Sequence, residues 1–332
     1  MIDPASSAAT TPKFSPPRIM SPTLLLLLPL SLAVVGLARG EDTANGGGAG
    51  GPAAENSRGS PAAPVQRIGP RPTVADLAYA TQSPAEKLDL YLPPPSDASA
   101  PLVIWIHGGG FMVGDKKSMP RQDFGPAPKP TSQMGPYQVQ VPDVAALTAK
   151  GYAVASLNYR LGASMFAAAF PALRDGKAAV RFLRANAEKY HLDAGKFAVW
   201  GNSAGGYMAA MLGVTGDRAT TLDDPSFGNA GVSSAVQAVV VWYGAEDRLP
   251  GPELSIARHA AKARVLPAFR IVNGDADQVI SADQARRLHE ALTKAGAVST
   301  LTILPGAGHE DPAYMATQMA PAFAFLDQIF GR

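Results

Sequence analysis

A serine flanked by glycines is the clearest chemical feature of this sequence. Ser203 is the central residue of Gly201-Asn-Ser-Ala-Gly205, between an apolar run at 197–200 and an alanine-rich segment at 207–213. A strand, a sharp glycine turn and a helix are the parts of a nucleophile elbow, in which a strained turn holds the serine hydroxyl above the edge of a sheet. The alternative is a structural Gly-Ser turn, which a chain with 33 glycines produces easily.

A serine hydroxyl is a weak nucleophile at its ordinary pKa and needs an oriented base. Three of the five histidines lie on or beside charged helical stretches, where we expect solvated side chains: His191, His259 and His289. His309 differs, because it ends the Gly-rich segment 304–309 directly after the last predicted strand. Such a loop can reach over the strand ends, so we predict His309 as the base for Ser203. An ordinary loop histidine is the alternative.

The carboxylate that orients this base should follow a strand and lie between serine and histidine in the chain. Asp275 and Asp277 both follow the apolar run Phe269–Val272. Asp275 lies in the turn itself, where an aspartate often only bonds the local backbone. We therefore favour Asp277, with Asp275 as the competitor and Asp247, which also ends a strand, as a third candidate.

Acyl transfer also needs hydrogen-bond donors where negative charge develops on the tetrahedral intermediate. A histidine and three glycines, residues 107–110, follow the apolar run Leu102–Ile106. Consecutive glycines allow backbone N–H groups to converge on one oxygen. We predict an oxyanion hole formed by the amides of Gly109, Gly110 and Ala204. The histidine is then a structural hydrogen-bonding residue, and a plain Gly-rich turn is the alternative.

The elements that carry these residues alternate between short apolar runs and helical patterns. The predicted strands are Lys87–Leu92, Leu102–Ile106, Ala153–Leu157, Phe197–Trp200, Val236–Trp242, Phe269–Val272 and Thr300–Leu304. Apolar residues recur at helical spacing over 173–190 and 282–295, with Ser281 and Gln284 as a possible capping box and Gly296 as a helix end. This alternation predicts an α/β fold with a mostly parallel central sheet and helices on both faces. Ligands bind such sheets at the carboxyl ends of the strands, where all the candidate residues fall.

The N-terminal part has a different composition from the rest of the chain. Leu24–Ala38 is an apolar run of 15 residues, short of the roughly 20 that span a bilayer and typical of a secretory signal. We predict a signal peptide over 1–40, a Gly/Ala/Pro-rich flexible linker over 41–73 and a folded domain over 74–332. The product would be secreted or periplasmic. An uncleaved membrane anchor and a translation start at Met20 are the alternatives.

Overall composition narrows the classes of function. Hydrophobic residues make up 46% of the 332-residue chain, enough for one large domain core. The formal charge is only +2 and no basic block is present, which argues against nucleic-acid binding. The chain has no cysteine, which excludes disulfides, thiolate metal sites and a thiol nucleophile. The last exclusion disfavours hydrolases of the dienelactone type.

Taken together, these segments resemble the esterase/lipase group of the α/β-hydrolase superfamily that carries an HGGG motif. Within that group the chain is most similar to the family named after bifunctional feruloyl and acetyl-xylan esterases. The resemblance runs from about Lys87 to Glu310. The segments that carry it are Leu88–Tyr91, His107–Gly110, Gly114–Lys116, Asn158–Leu161, Ala178–Arg184, Trp200–Gly206, Gly274–Asp277 and Pro305–His309.

The resemblance implies an α/β-hydrolase fold and a serine carboxylic-ester hydrolase for short acyl esters, including acetyl or feruloyl groups on carbohydrate. The chain order Ser203, Asp277, His309 is that of α/β-hydrolases. No cofactor or metal is required, and the expected partner is a small-molecule or carbohydrate-linked ester, without nucleic acid and without a stable membrane span after signal cleavage. The rival functions are a serine peptidase or amidase of the same fold, and an inactive hydrolase-like binding protein.

One segment departs from the family pattern. Residues 118–142 form an insertion rich in Pro and Gln, directly after the predicted oxyanion strand and its loop. Loops of this length without secondary structure are usually functional or disordered. We expect this insertion to shape the substrate entrance.

Overall fold

The structure is a computed structural model that describes residues 70–117 and 143–332. The predicted signal peptide, nearly all of the predicted linker and the 118–142 insertion lie outside the described residues. The signal, linker and insertion therefore remain predictions.

The described residues form one eight-stranded sheet. Its strands are β1 (Val74–Ala78), β2 (Lys87–Tyr91), β3 (Ala100–Ile106), β4 (Ala153–Leu157), β5 (Leu192–Asn202), β6 (Ala238–Trp242), β7 (Ala268–Gly274) and β8 (Ser299–Leu304). They are ordered β1-β2-β4-β3-β5-β6-β7-β8, and only β2 is antiparallel to its neighbours β1 and β4. The loops after β3, β5, β6, β7 and β8 consequently emerge at the same edge of the sheet.

Helices cover both faces of this sheet. They are α1 (Val144–Ala149), α2 (Met165–Ala185), α3 (Ala204–Thr215), α4 (Ile256–Ala260), α5 (Ala282–Lys294) and α6 (Ala313–Phe330). Buried side chains of α2, α3, α4 and α5 belong to one apolar layer, and those of α1 and α6 belong to the other. The predicted architecture is confirmed. In the described part of the chain, no helix has the length and apolarity needed to cross a membrane.

Apolar runs located most strands correctly, because strands buried on both faces are continuously hydrophobic. Strands β2 to β8 all coincide with predicted runs, although β5 begins five residues before the predicted Phe197. Strand β1 was not predicted. Val74 and Leu77 are half-buried and the other three residues are exposed, as at a solvated sheet edge.

The first long helix differs from its predicted span of Leu173–Tyr190. It begins at Met165, where the Ser164 side chain accepts a hydrogen bond from the third residue after it, and it ends at Ala185. Pro171 lies inside the helix and obscures its first turns in the sequence, because proline is unfavourable in helix interiors.

The predicted capping box at the start of α5 is wrong. The Ser281 side chain makes no cap hydrogen bond. The Gln284 side chain instead accepts from the backbone N–H groups of Glu246 and Asp247 and donates to the Asp247 carboxylate. This glutamine therefore ties α5 to the loop after β6. Gly296 follows the helix with φ +89°, in agreement with its predicted role.

All three tryptophans of the chain meet in the α1/α6 layer. Trp105, Trp200 and Trp242 belong to the neighbouring strands β3, β5 and β6, each within two residues of the end of its strand. Their ring centroids lie 5.0 to 6.4 Å apart in edge-to-face contacts, which aromatic quadrupoles favour. This cluster is a buried aromatic layer beneath the loops that carry the candidate residues.

Candidate active site

The turn between β5 and α3 is held in a strained conformation by glycines. Ser203 has φ +52° and ψ −121°, a backbone region that a residue with a Cβ rarely adopts. A Cβ on Gly201 would lie 2.2 Å from the Gly205 carbonyl oxygen, and a Cβ on Gly205 would lie 2.1 Å from the Ile106 carbonyl oxygen. Only glycine permits this close approach, and the turn leaves the Ser203 side chain half-buried at the sheet edge.

Three predicted residues form a continuous chain of hydrogen bonds at this edge. Ser203 Oγ lies 3.0 Å from His309 Nε2, and His309 Nδ1 lies 2.8 Å from Asp277 Oδ2. Asp277 Oδ1 accepts from the backbone N–H groups of Val279 and Ile280, both at 2.8 Å. The imidazole is 15% exposed and the carboxylate is fully buried. The carboxylate is therefore fixed, while the imidazole is open to a ligand.

The two competing aspartates have other partners. Asp275 is exposed in its turn and accepts from the Gly306 N–H at 2.6 Å. Asp247 accepts from the Gln284 side chain and forms an exposed ion pair with Arg287. Asp277 is the aspartate that bonds the His309 imidazole.

The glycine loop after β3 lies against the serine turn. A Cβ on Gly108 would lie 3.1 Å from the Ser203 Cβ. Gly109 and Gly110 have φ +98° and +62°, so the loop turns sharply beside the serine. Ala204 is the first residue of α3, and the first amides of a helix have no acceptor within it. Of the three residues predicted as oxyanion donors, Ala204 directly follows Ser203, and Gly109 and Gly110 follow the glycine that lies against the serine turn.

The histidine of this loop is a buried structural residue. His107 Nδ1 lies 2.8 Å from the Gly108 carbonyl oxygen, and its ring stacks on Tyr159 at 4.4 Å. The Tyr159 hydroxyl donates to the His107 carbonyl oxygen at 2.8 Å. Burial lowers the pKa of His107 to about 4, so the imidazole is neutral at physiological pH. Its contacts agree with the predicted structural role.

A buried charge network holds the other end of the glycine loop. Lys116 Nζ lies 2.8 Å from the fully buried Asp89 carboxylate and 2.7 Å from that of Asp76. The Lys116 N–H donates to Asn158 Oδ1, and its carbonyl accepts from the Ser156 hydroxyl. The hydrogen bond from Lys116 lowers the pKa of Asp76. The loop is thereby tied to β2 and to the end of β4.

Two further side chains surround the imidazole. The Tyr243 ring packs edge-to-face against His309 with centroids 4.7 Å apart. Glu310 follows His309, and burial raises the pKa of its carboxyl, as does the nearby Asp277 carboxylate, while the imidazole lowers it. In the described ranges, no group of three or more His, Cys, Asp or Glu side chains is arranged to hold a metal ion.

Comparison with known protein families places the chain. The family model BD-FAE matches residues 88–264, which is 177 of the 332 residues. The chain belongs to the BD-FAE family. This family assignment confirms the resemblance found in the sequence motifs.

The dienelactone hydrolase family also matches this BD-FAE member, over residues 226–320. That span includes Asp277 and His309 but not Ser203. The similarity therefore concerns the second half of the fold. It is found although the chain has no cysteine, the observation that disfavoured a hydrolase of the dienelactone type.

Curated relatives of this BD-FAE member are named as esterases. Esterase LipC of Mycobacterium tuberculosis is 29% identical over 245 residues, covering 63% of this chain and 53% of LipC. Esterase LipI of the same organism is 31% identical over 152 residues, covering 45% of this chain and 40% of LipI. The chain thus spans about half or less of the length of these relatives.

Solved structures share the fold at low sequence identity. A carbohydrate esterase from gut microbiota, in truncated form, is 24% identical with a TM-score of 0.63, covering 78% of this chain and 96% of that one. Esterase 2 of Thermogutta terrifontis, phosphorylated by paraoxon, is 22% identical with a TM-score of 0.59, covering 76% and 92%. The α/β-hydrolase fold predicted from the sequence is confirmed.

Sequence reasoning was less successful away from the motifs. His259 and His289 are half-buried rather than solvated: His259 contacts the Arg218 guanidinium and His289 contacts the Ser299 hydroxyl. Tyr243 near the imidazole was missed. Its position immediately after β6, at the edge where the other candidates were sought, is the signal that would have found it.

Proposed function

We propose that this chain is a secreted or periplasmic serine carboxylic-ester hydrolase that acts on short acyl esters through an acyl-enzyme. The observation that carries the proposal is the hydrogen-bonded series Ser203–His309–Asp277 on a strained elbow. The esterase names of the curated relatives support the same reaction. Export is proposed from the apolar run Leu24–Ala38 alone.

The acylation step uses the three side chains in sequence. Ser203 Oγ attacks the ester carbonyl carbon while His309 Nε2 takes the hydroxyl proton. Asp277 accepts a hydrogen bond from Nδ1, so it orients the ring and stabilises the imidazolium that forms. Because two backbone N–H groups hold the other carboxylate oxygen, the orienting oxygen cannot rotate away from the imidazole.

The oxyanion of the tetrahedral intermediate needs fixed donors beside the serine. The amides of Gly109 and Gly110, in the loop that lies against the serine turn, and of Ala204, the first residue of α3, are proposed for this role. Loss of one such donor typically costs about 10²–10³ in kcat. Collapse of the intermediate breaks the ester C–O bond, and His309 protonates the leaving alcohol.

Water then resolves the acyl-enzyme by the same steps in reverse. His309 takes a proton from water, the hydroxide oxygen attacks the acyl carbon, and Ser203 leaves with the proton from the imidazolium. Each proton transfer in this cycle is to or from the His309 imidazole. As substrates we propose acetyl or feruloyl esters of carbohydrate, a proposal supported by the family resemblance and by the carbohydrate esterase among the structural neighbours.

Labelling with a fluorophosphonate probe tests the proposal. The wild-type protein should react with the probe and hydrolyse p-nitrophenyl acetate, and Ser203→Ala should abolish both. Ser96→Ala, a change at an exposed serine, is the matched control and should retain both. Labelling of Ser203→Ala would show that another residue is the nucleophile. No labelling of the wild type would favour a binding protein.

Substrate class is tested on the wild-type enzyme. We expect release of acetate from acetylated xylan or of ferulate from methyl ferulate at rates above those for a matched peptide or anilide substrate. Faster cleavage of the peptide or anilide would instead assign an amidase.

A further inference from the structure

Strained backbone is concentrated at the carboxyl edge of the sheet. Four non-glycine residues there have positive φ angles, and each lies next to the proposed chemistry: Phe111 (+63°), Ser203 (+52°), Tyr243 (+39°) and Glu310 (+60°). A positive φ is costly, most of all for a bulky aromatic residue, and such outliers cluster at functional sites. Tyr243 is one of the two aromatic residues among these four, and it takes no part in the proposed acyl-enzyme steps.

Backbone hydrogen bonds on both sides hold Tyr243 in this conformation. The Tyr243 N–H donates to the Val272 carbonyl of β7 at 2.8 Å, and the preceding Trp242 carbonyl accepts from the Ser203 N–H at 2.9 Å. The strand end thus stays bonded to both neighbouring strands while the chain turns. This turn directs the Tyr243 ring to the imidazole rather than along the strand.

The ring occupies a fully buried position between two other rings. It packs at 66° to the His309 imidazole, with centroids 4.7 Å apart, and at 66° to Tyr314, with centroids 4.5 Å apart. Its hydroxyl accepts a hydrogen bond from Asn202 Nδ2 at 3.0 Å. Asn202 directly precedes the nucleophile, so one side chain contacts the proposed base and is bonded to the serine turn.

From these contacts we propose that Tyr243 is a positioning residue for His309. Its ring restricts rotation of the imidazole, which keeps Nδ1 towards Asp277 and Nε2 towards Ser203. The proposal rests on the proposed function, since His309 is the base of that reaction.

Replacing the ring should lower the rate without weakening substrate binding. We expect Tyr243→Leu to reduce kcat on p-nitrophenyl acetate by about 10- to 100-fold with KM changed less than about threefold, because small misplacements of a reacting group are that costly. Tyr243→Phe keeps the ring and should retain kcat within about threefold. Tyr152→Leu removes a buried tyrosine of the α1/α6 layer far from the site, and should retain kcat despite a lower Tm.

A spectroscopic measurement separates positioning from general destabilisation. The proton on His309 Nδ1, held by the Asp277 carboxylate, should give a far-downfield ¹H NMR resonance in the wild type and in Tyr243→Phe. Tyr243→Leu should lose this resonance, and Tyr152→Leu should keep it. Tyr243→Met, which fills more of the space, serves as a second non-aromatic variant with the same expected losses.

Two results would overturn the proposal. One is a folded Tyr243→Leu or Tyr243→Met protein with wild-type kcat and resonance. The other is a Tyr243→Phe protein as impaired as the non-aromatic variants, because the effect would then belong to the hydroxyl and not to the ring. If Tyr243→Leu and Tyr243→Met do not fold, kcat and the resonance of Tyr243→Phe decide between these two outcomes. Failure of the proposed function is distinct, because Ser203→Ala would then retain turnover, or the wild type would show none, whatever the Tyr243 variants do.

Discussion

Replacing the Asp277 carboxylate by an amide should inactivate the protein without unfolding it. The change Asp277→Asn is isosteric, and the structure determines which way the new amide faces. The backbone N–H groups of Val279 and Ile280 both donate to Oδ1 at 2.8 Å, so the amide oxygen takes that position. The opposite orientation would lose both hydrogen bonds, and the loss of the buried one to Ile280 alone would cost about 1–3 kcal/mol.

The amide nitrogen must then face His309 Nδ1, donor against donor. The imidazole avoids this clash by moving its proton to Nε2, which leaves a donor where the Ser203 hydroxyl needs an acceptor. Ser203 then has no base, and we expect kcat on p-nitrophenyl acetate to fall about 10⁴-fold. Tm should change little, since the two backbone hydrogen bonds persist.

The matched control lies two residues away. Asp275→Asn is also isosteric, and its amide oxygen can still accept from the Gly306 N–H. We expect kcat within about threefold of wild type, because the Asp275 side chain is exposed and has no contact with His309. The reasoning is refuted if Asp277→Asn stays within tenfold of wild-type kcat, or if Asp275→Asn loses as much.

Two predictions concern the glycine loop and its supports. Lys116→Met leaves the fully buried Asp89 carboxylate without its cation and should lower the free energy of unfolding, measured by urea titration, by about 3–5 kcal/mol. The control Lys150→Met removes an exposed ion pair and should lower it by less than about 1 kcal/mol. Equal losses in the two variants would contradict a supporting role for Lys116. The folded-state pKa of His107, about 4, lies below its unfolded value near 6.5, so the unfolded chain binds more protons in that window and stability falls as pH drops through it. We expect about 3 kcal/mol less stability at pH 4 than at pH 6.5 from this residue, and His107→Gln should lose that part of the pH dependence; parallel pH profiles would sink the idea.

Local sequence patterns predicted most of the sheet because its strands are buried on both faces. Central strands such as β6 are continuous apolar runs of only five residues. A buried helix is usually at least 10–12 residues long, so the length of the run identifies a strand. The edge strand β1 was missed since it pairs with one neighbour and carries solvated residues. The start of α2 was missed because Pro171 interrupts the helical pattern, although the tertiary packing accommodates it.

The proposed catalytic residues could be predicted because each follows a strand, and strand ends meet at one edge of a parallel sheet. Their supports could not. Lys116 and Asp89 are 27 residues apart, and Tyr243 and His309 are further apart still, so no local spacing connects them. Gln284 shows the same limit: its capping motif is present in the sequence, yet its side chain bonds to the loop after β6.

The three tryptophans have a consequence for optical measurements. They lie within 6.4 Å of one another and each precedes a loop of the proposed active site by one to three residues. Excitation energy will pass among the indoles, so intrinsic fluorescence reports one place in the protein rather than an average over it. Strong coupling of the rings should also give an intense near-ultraviolet circular dichroism band. Loss of that band on heating or in urea would report separation of the strand ends of β3, β5 and β6 beneath the proposed active site, without any added dye.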